Sequence, residues 1–264
     1  MLISVGLGLA VGIILALTGA GGGILAVPLL IFGLGLSVGE AGPIGLLAVG
    51  ISAAVGAGLG LRAGTVRYKA ALLMAGSGIV LSPLGIWLAH RMDNRWLSAL
   101  FAVVLLFVAY RTFQKAQANN MQPSFTAAPQ CIRDVESGRF VWTTSCAWTL
   151  ALSGTVSGLL SGLLGVGGGF VLVPALRRFT DLTMQSVVAT SLAVIALVSI
   201  SGVLSSALTG HLNWSVAVPF CGGALGGMIG GQFIASRLDG PQLQKGFAAV
   251  SALVAIGMIV KFVF

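Results

Sequence analysis

The sequence predicts an all-α polytopic membrane protein with two inverted repeats, each a glycine-broken, re-entrant helix pair followed by three transmembrane helices. Three observations predict this fold: the composition, an internal repeat and the distribution of lysine and arginine. Of 264 residues, 57% are apolar and 8% are charged, and the mean hydropathy is +1.04. Soluble domains carry about 25% charged residues. The composition therefore predicts a chain that lies in the lipid bilayer.

Stretches without charge predict the membrane-spanning helices. A helix needs about 20 apolar residues to cross a hydrocarbon core of about 30 Å, and most of the stretches reach that length. The short stretch 96–110 has Trp96 and Tyr110 at its ends, and such residues anchor helices at the membrane interface. The N-terminus has no basic region and no small-residue cleavage site, so it is predicted to remain as a mature span. The charge-free stretches are 41–61, 70–89, 96–110, 186–209, 214–236 and 246–260.

The net charge of +8 does not indicate a nucleic-acid partner. Basic residues are scattered singly or in pairs between apolar runs, with neither a basic face nor interleaved aromatic residues. This pattern is typical of the loops that set membrane topology. Cys131, Cys146 and Cys221 are odd in number and lack metal-ligand spacing, so we interpret them as structural. No cofactor is predicted.

An internal repeat becomes visible when the sequence is aligned with itself at an offset of 146 positions. Residues 12–28 match residues 158–174 without a gap, including three consecutive glycines and a proline. The same offset pairs Arg91 with Arg237 and Asp93 with Asp239, and chance similarity among apolar residues would not match charges. The chain is therefore predicted to contain a first membrane repeat, a polar cytoplasmic linker and a second membrane repeat, over residues 1–115, 116–145 and 146–264.

The orientation of the two halves depends on whether each glycine-interrupted stretch crosses the membrane or returns as a hairpin. If it crosses, the 14 lysines and arginines divide eight against six between the two sides. If it returns, they divide eleven against three, which agrees better with the excess of basic residues in cytoplasmic loops. The second count predicts inverted repeats, with the linker in the cytoplasm and both termini outside. A long tilted helix is the alternative.

The glycine interruptions form the predicted binding site. Irregular backbone at membrane depth is tolerated only when it is buried in protein or lines a wet cavity. Glycine lets the chain turn, and the helix that follows has free N–H groups and a positive dipole end that attract anions. In inverted-repeat transporters, two such broken helices meet near the midplane and form the substrate site. The two triplets are Gly21, Gly22 and Gly23, and Gly167, Gly168 and Gly169.

Close helix packing is the other explanation for these glycines, because small residues pack helices together throughout membrane bundles. Each triplet is followed five residues later by a proline, Pro28 or Pro174. Packing alone does not require that device. The sequence therefore favours a binding site at the two triplets.

Hydroxyl groups near the triplets add candidate donors. Thr190 and Ser191 offer neutral donors for an oxyanion beside the second triplet, although hydroxyls in such helices usually bond their own backbone. Their first-half equivalents are Ile44 and Gly45, so this contact is expected to be asymmetric. Thr18, which precedes the first triplet, is a further candidate.

The acidic residues argue against two other functions. All six lie in predicted loops or at span ends, so no carboxylate is placed to hold a cation or relay protons at membrane depth. Neither a Ser/His/Asp group, nor paired carboxylates, nor a His/Cys metal cluster can be assembled from the sequence. An enzyme is not predicted.

The chain resembles the TauE/SafE family of membrane proteins. The resemblance rests on Gly-x-Gly-Gly-Gly-x-x-x-x-Pro in both halves, from Gly19 to Pro28 and from Gly165 to Pro174, on Ala189-Thr190-Ser191, and on the linker sequence Glu136-Ser137-Gly138-Arg139-Phe140. It implies transport of sulfite, sulfonates and related anions across the bacterial cytoplasmic membrane, generally outward. The first half departs from the pattern, with Pro43-Ile44-Gly45 in place of a Thr-Ser pair.

The sequence therefore predicts a multi-pass inner-membrane transporter that exports a small anion, most simply a sulfur oxyanion or organosulfonate, by alternating access. A cell interior at −100 mV drives a monovalent anion outward by about 2.3 kcal/mol, so export needs no coupling ion. The alternatives are an anion channel on the same scaffold and a non-transporting subunit that recruits a soluble partner through residues 116–145. A homo-oligomer is left open.

Overall fold

The computed structural model describes residues 2–18, 21–118, 131, 143–208, 213–235 and 251–258. These residues are almost entirely helical, and their one β-bridge is an isolated pair between Cys131 and Thr180. Residues 251–258 are helical. The helices with defined bounds are α1 (Leu2–Thr18), α2 (Gly21–Leu34), α3 (Val38–Arg62), α4 (Tyr68–Arg91), α5 (Asn94–Ala118), α6 (Thr144–Leu164), α7 (Gly169–Phe179), α8 (Met184–Leu208) and α9 (Trp214–Ala235).

Five of the described helices are long and apolar enough to cross a membrane, namely α3, α4, α6, α8 and α9. Four of them correspond to predicted spans. The fifth, α6, was predicted as one arm of a hairpin, and its 21 residues also reach spanning length. The short predicted span 96–110 lies within the longer helix α5, which has 25 residues.

Helix ends follow local sequence signals. Helix α3 begins with a capping box, in which the Ser37 hydroxyl accepts from the Glu40 N–H and the Glu40 carboxylate accepts from the Ser37 N–H at 3.0 Å. Helix α6 begins after Thr143, whose hydroxyl accepts from the Cys146 N–H. The α6 helix ends at Gly165, which has a left-handed φ of 69°.

The helices of the second half recur at the offset found in the sequence. Helix α3 covers residues 38–62 and α8 covers residues 184–208, and adding 146 to the first pair of bounds gives the second. Helices α4 and α9 likewise begin at residues 68 and 214. Each described half therefore runs through the same succession of long and short helices.

Helices from different halves pack closely through glycine. In α1 and α9, Gly8 faces the Phe220 carbonyl and Gly12 faces the Ala224 carbonyl, so these two helices run in the same direction. Helices α4 and α6 are also parallel, because Gly78 lies against Gly158 and Gly162 lies against Ser82. At these points the backbones approach too closely for a side chain, as in small-residue crossings of membrane helices.

Helices α3 and α8 cross at the centre in opposite directions. Leu46 contacts Gly202 near the start of α3, Gly50 lies against Ser199 at its middle, and Gly60 faces Ala189 near its end. The first half of each repeat also folds back on itself. Gly22 contacts Leu15 and Gly33 contacts Leu7, so α1 and α2 form an antiparallel hairpin.

Cys131 and Cys146 form a disulfide, a pairing that their spacing in the sequence did not predict. Cys131 is fully buried, and its N–H donates to the Phe179 carbonyl at 2.9 Å. The disulfide therefore ties the predicted linker to the start of α6, and the hydrogen bond of Cys131 ties it to the end of α7. Helices α5 and α6 extend into the two ends of residues 116–145, because α5 ends at Ala118 and α6 begins at Thr144. Residues 119–130 and 132–142 lie outside the described residues.

Candidate functional site

The candidate site lies at mid-depth of the bundle, where α3 and α8 cross. The middle residue of α3 (residues 38–62) is Gly50, and the middle residue of α8 (residues 184–208) is Ala196. Around this level Val49, Gly50, Ile195 and Ser199 come together with the glycine-rich segments. All four are buried.

The second interruption is a non-helical segment over residues 165–168. Gly165, Gly167 and Gly168 have left-handed φ angles of 69°, 76° and 65°, which favour glycine. The Ser157 hydroxyl donates to the Gly168 carbonyl at 2.9 Å and ties the segment to α6. Gly169 then begins α7. In this first turn the Val171 N–H donates to the Gly168 carbonyl at 3.1 Å, whereas the N–H groups of Gly169 and Phe170 precede the first carbonyl that the helix can offer them.

The first triplet has a different position from the one predicted. Gly21, Gly22 and Gly23 form the first turn of α2, whereas the residues between α1 and α2 are 19 and 20, which lie outside the described residues. The three glycines are therefore helical themselves and lie in the described part of α2.

The two glycine-rich segments approach each other at Val49. A methyl group at Gly23 would lie 2.5 Å from the Val166 carbonyl oxygen and 3.3 Å from Val49 Cγ1. A methyl group at Gly167 would lie 3.4 Å from the same Val49 atom and 3.0 Å from Ile195 Cγ2. The structure therefore brings Gly23 and Gly167 together. Gly22 and Gly168 instead face their own hairpins, at Leu15 and Ser157.

Helix α3 accommodates the second interruption through two small residues. Gly165 lies against Gly42, and a methyl group at Gly45 would lie 3.5 Å from the Gly165 carbonyl oxygen. The nearest atoms to a methyl group at Gly45 belong to α2, namely Val27 Cγ2 at 3.3 Å and Ala26 Cβ at 3.4 Å, so α3 also packs closely against α2 here.

The hydroxyls predicted from the sequence already have hydrogen bonds. The Ser191 hydroxyl donates to the Val188 carbonyl at 2.8 Å, and the Thr18 hydroxyl donates to the Ile14 carbonyl at 2.7 Å. Thr190 accepts from the Arg67 N–H at 3.1 Å. Thr190 is five residues before Ile195, so it lies about 7.5 Å along the helix from the glycine segments at 1.5 Å per residue.

Ser199 is the central hydroxyl that the sequence did not single out. It is 1% exposed, and its Oγ lies 3.8 Å from where a methyl group at Gly167 would stand. Leu192, Ile195, Ser199 and Gly202 share the α8 face that meets α3 or the second interruption. Their spacing of three to four residues is the signal that could have identified Ser199.

A cavity of about 60 Å³ lies at one end of the bundle. It is lined by the starts of α3 and α5 and the ends of α4, α6 and α8, and its lining includes Gly42, Leu46 and Gly165. It therefore reaches from the end of the bundle to within two residues of Gly167.

Close contacts join the two halves at the other end. Gly56 faces Leu192, and Gly60 faces Ala189. Beyond them the Arg67 N–H donates to Thr190. These contacts hold α3 and α8 together on the side away from the cavity.

The two ends also differ in charge. Arg62, Arg67, Lys69, Arg177 and Arg178 lie in or beside the turns that follow α3 and α7, and the Arg67–Thr190 hydrogen bond places these turns at one end. Arg91 and Arg95 flank the turn between α4 and α5, at the end with the cavity. Arg91 lies over the Trp87 ring at 4.4 Å. We call the first of these the basic end.

These features define a multi-pass membrane protein of the transporter class. They are several spanning helices, two short helices that begin with glycine at mid-depth and an unequal distribution of basic residues. The chain belongs to the TauE/SafE family. The family model described as "Sulfite exporter TauE/SafE" matches residues 4–258, which confirms the resemblance drawn from the glycine motifs.

Curated relatives carry names of the same class. A "Probable membrane transporter protein" of Xylella fastidiosa (strain Temecula1) is 29% identical, over 98% of this chain and 95% of the relative. The "Probable membrane transporter protein YunE" of Bacillus subtilis is 29% identical over 85% of each chain. The "Probable membrane transporter protein MJ0441" of Methanocaldococcus jannaschii is 29% identical, over 75% of this chain and 69% of the relative. No solved structure matches the chain.

Proposed function

We propose that this protein exports a small monovalent anion, a sulfur oxyanion or organosulfonate, across the bacterial cytoplasmic membrane by alternating access. One observation carries the proposal: two helices that begin with glycine meet beside Val49 at mid-depth. Their first-turn N–H groups provide donors and a positive dipole end for an anion. The family name supports sulfur in the cargo.

The helix directions support inverted repeats over residues 1–115 and 146–264. Helices α3 and α8 are equivalent at the offset of 146 and run in opposite directions. The contacts of α1 with α9 are repeated by those of α6 with α4. A twofold axis that exchanges these pairs is perpendicular to α3 and α8, so it lies in the plane of a membrane that these helices cross.

The distribution of charge supports an orientation. Basic residues are more frequent in cytoplasmic loops, so the basic end and the linker are proposed to lie in the cytoplasm. The cavity beside Gly42 and Gly165 then opens to the outside, while the contacts at Thr190 close the cytoplasmic side. The membrane potential, which is negative inside, drives a monovalent anion from the cytoplasm to the outside.

Efflux from proteoliposomes tests the proposed site. Gly167→Ala adds a methyl group among Val49, Ile195 and Ser199. We expect this variant to reduce sulfite and methanesulfonate efflux by at least about tenfold, because a misplacement of about 1 Å in a ligand site can cost 100-fold in rate. Gly35→Ala is the matched control, since Gly35 also has a left-handed φ, of 69°, but nothing lies within 4 Å of its added methyl group. Equal efflux from both variants would contradict the site, and no efflux from the wild type would contradict the function.

Counterflow separates alternating access from a channel. A protein that alternates exchanges labelled methanesulfonate for unlabelled methanesulfonate across the membrane and saturates with concentration. We expect exchange at least as fast as net efflux. Flux without counterflow or saturation would favour the channel.

A further inference from the structure

Five buried serine hydroxyls in the described part of the chain have no hydrogen-bond partner, namely those of Ser52, Ser82, Ser161, Ser199 and Ser251. Other hydroxyls in these helices bond the backbone of their own helix, as Ser153 does with Thr149 and Ser201 with Val198. Buried polar groups in proteins are nearly always satisfied. An unpartnered hydroxyl at membrane depth therefore requires an explanation.

Ser199 differs from the other four in its position. Its Oγ lies beside two glycines, 3.8 Å from a methyl position on Gly167 and 3.2 Å from one on Gly50. It lies at the level where the glycine-led helices α2 and α7 meet. The Ser199 hydroxyl is thus an unused donor beside Gly167, in the glycine segment that leads into α7.

We propose that the Ser199 hydroxyl donates a hydrogen bond to an oxygen of the bound anion, and that the site is selective for singly charged oxyanions. This inference rests on the proposed function and adds a side-chain ligand and a charge class to it. The equivalent of Ser199 in the first half is Ala53, which has no donor. The anion is therefore held off the twofold axis, on the side of α8.

Charge selectivity follows from the groups around Ser199. Helices α1, α2 and α8 contain no lysine or arginine, and those of α3 and α7 lie in their last turns. The described residues thus offer the anion neutral donors at mid-depth. The cost of removing an ion from water increases with the square of its charge, so a dianion costs about four times as much as a monoanion. Without a compensating positive charge, neutral donors offset a smaller share of this cost for the dianion, so the site should favour the monoanion.

Direct binding to the purified protein tests the inference with methanesulfonate and sulfate, which present similar oxygens with one and two charges. We expect wild-type protein to bind methanesulfonate and to bind sulfate at least about tenfold more weakly at equal ionic strength. Ser199→Ala should weaken methanesulfonate binding by about 10- to 100-fold, the range for a hydrogen bond to a charged group. Ser199→Cys retains a weak donor and should give an intermediate affinity.

Ser251→Ala is the matched control, because it also removes a buried and unpartnered hydroxyl, outside the glycine segments. It should bind methanesulfonate like the wild type. Wild-type affinity in Ser199→Ala would overturn the role of Ser199, and equal affinities for the two anions would overturn the charge selectivity, while the proposed function would stand in both cases. A wild type that binds neither anion and transports none would overturn the proposed function as well.

Discussion

Single glycines in this protein have two separate uses, and the structure distinguishes them. Gly22 and Gly168 allow the arms of a hairpin to pack, whereas Gly23 and Gly167 face each other at the centre. The close-packing explanation therefore holds for part of each triplet. Gly167 is the most suitable glycine for testing the anion site, because a methyl group at Gly22, Gly23 or Gly168 would lie within about 2.5 Å of a neighbouring backbone atom and would separate packed segments.

Neighbouring glycines on α9 give a prediction about packing. Gly227→Ala would place a methyl group against the Leu9 carbonyl of α1, whereas nothing lies within 4 Å of a methyl group at Gly226. We expect Gly227→Ala to lower the free energy of unfolding by about 1–3 kcal/mol. Gly226→Ala should be neutral, or stabilising by up to about 1 kcal/mol, because alanine favours helix. Thermal unfolding in one detergent measures both, and equal midpoints would contradict the packing of α1 on α9.

At the level of helices, long charge-free stretches predicted their elements well. The predicted spans 41–61 and 186–209 lie within three residues of the ends of α3 and α8. The start of α2 was predicted less well, because consecutive glycines have no side chains to show a helical period. The glycines of the candidate site were among the predicted site residues, whereas Ser199 was not. The sequence alone does not show which hydroxyls of a helix lack a hydrogen-bond partner, because that depends on the neighbouring helices.

The hydrogen bond that holds the second interruption gives a prediction about this element. Ser157 links α6 to the Gly168 carbonyl, so Ser157→Ala should lower the free energy of unfolding by about 1 kcal/mol. The Ser153 hydroxyl, one turn earlier, donates to the Thr149 carbonyl within the same helix. Ser153→Ala should therefore change the free energy of unfolding by less than about 0.5 kcal/mol. If the two variants unfold at the same temperature, Ser157 does not hold the interruption.

At the scale of the whole molecule, the disulfide and the cluster of basic residues lie at the same end of the bundle. Cys146 begins α6, beside the start of α4, and Cys131 bonds the end of α7, so both lie at the basic end. Basic residues favour the cytoplasm for this end, whereas disulfides persist in oxidising compartments. The state of these two cysteines in the cell therefore reports the orientation of the protein.

Counting thiols in cells provides the measurement. Cells are quenched with acid, and the denatured protein is alkylated. With the linker in the cytoplasm we expect three free thiols, one for each cysteine of the chain, and with the linker outside only Cys221 should react. Cys131→Ser is the control, since it should show two free thiols in either orientation. A single thiol in the wild type would reverse the proposed orientation. Where the disulfide forms, closing this 15-residue loop should stabilise the protein by about 3 kcal/mol.

The exchange of helices between the halves also affects how the chain is made. Helix α1 has its closest partner in α9, about 200 residues later in the chain. At about 5–20 residues per second, the ribosome needs about 10–40 s to reach that partner. During this interval the glycine face of α1, including Gly8 and Gly12, has no α9 to pack against. A chain that stops before α9 therefore leaves its first helix without its closest partner, so neither half contains all the contacts that its own helices need.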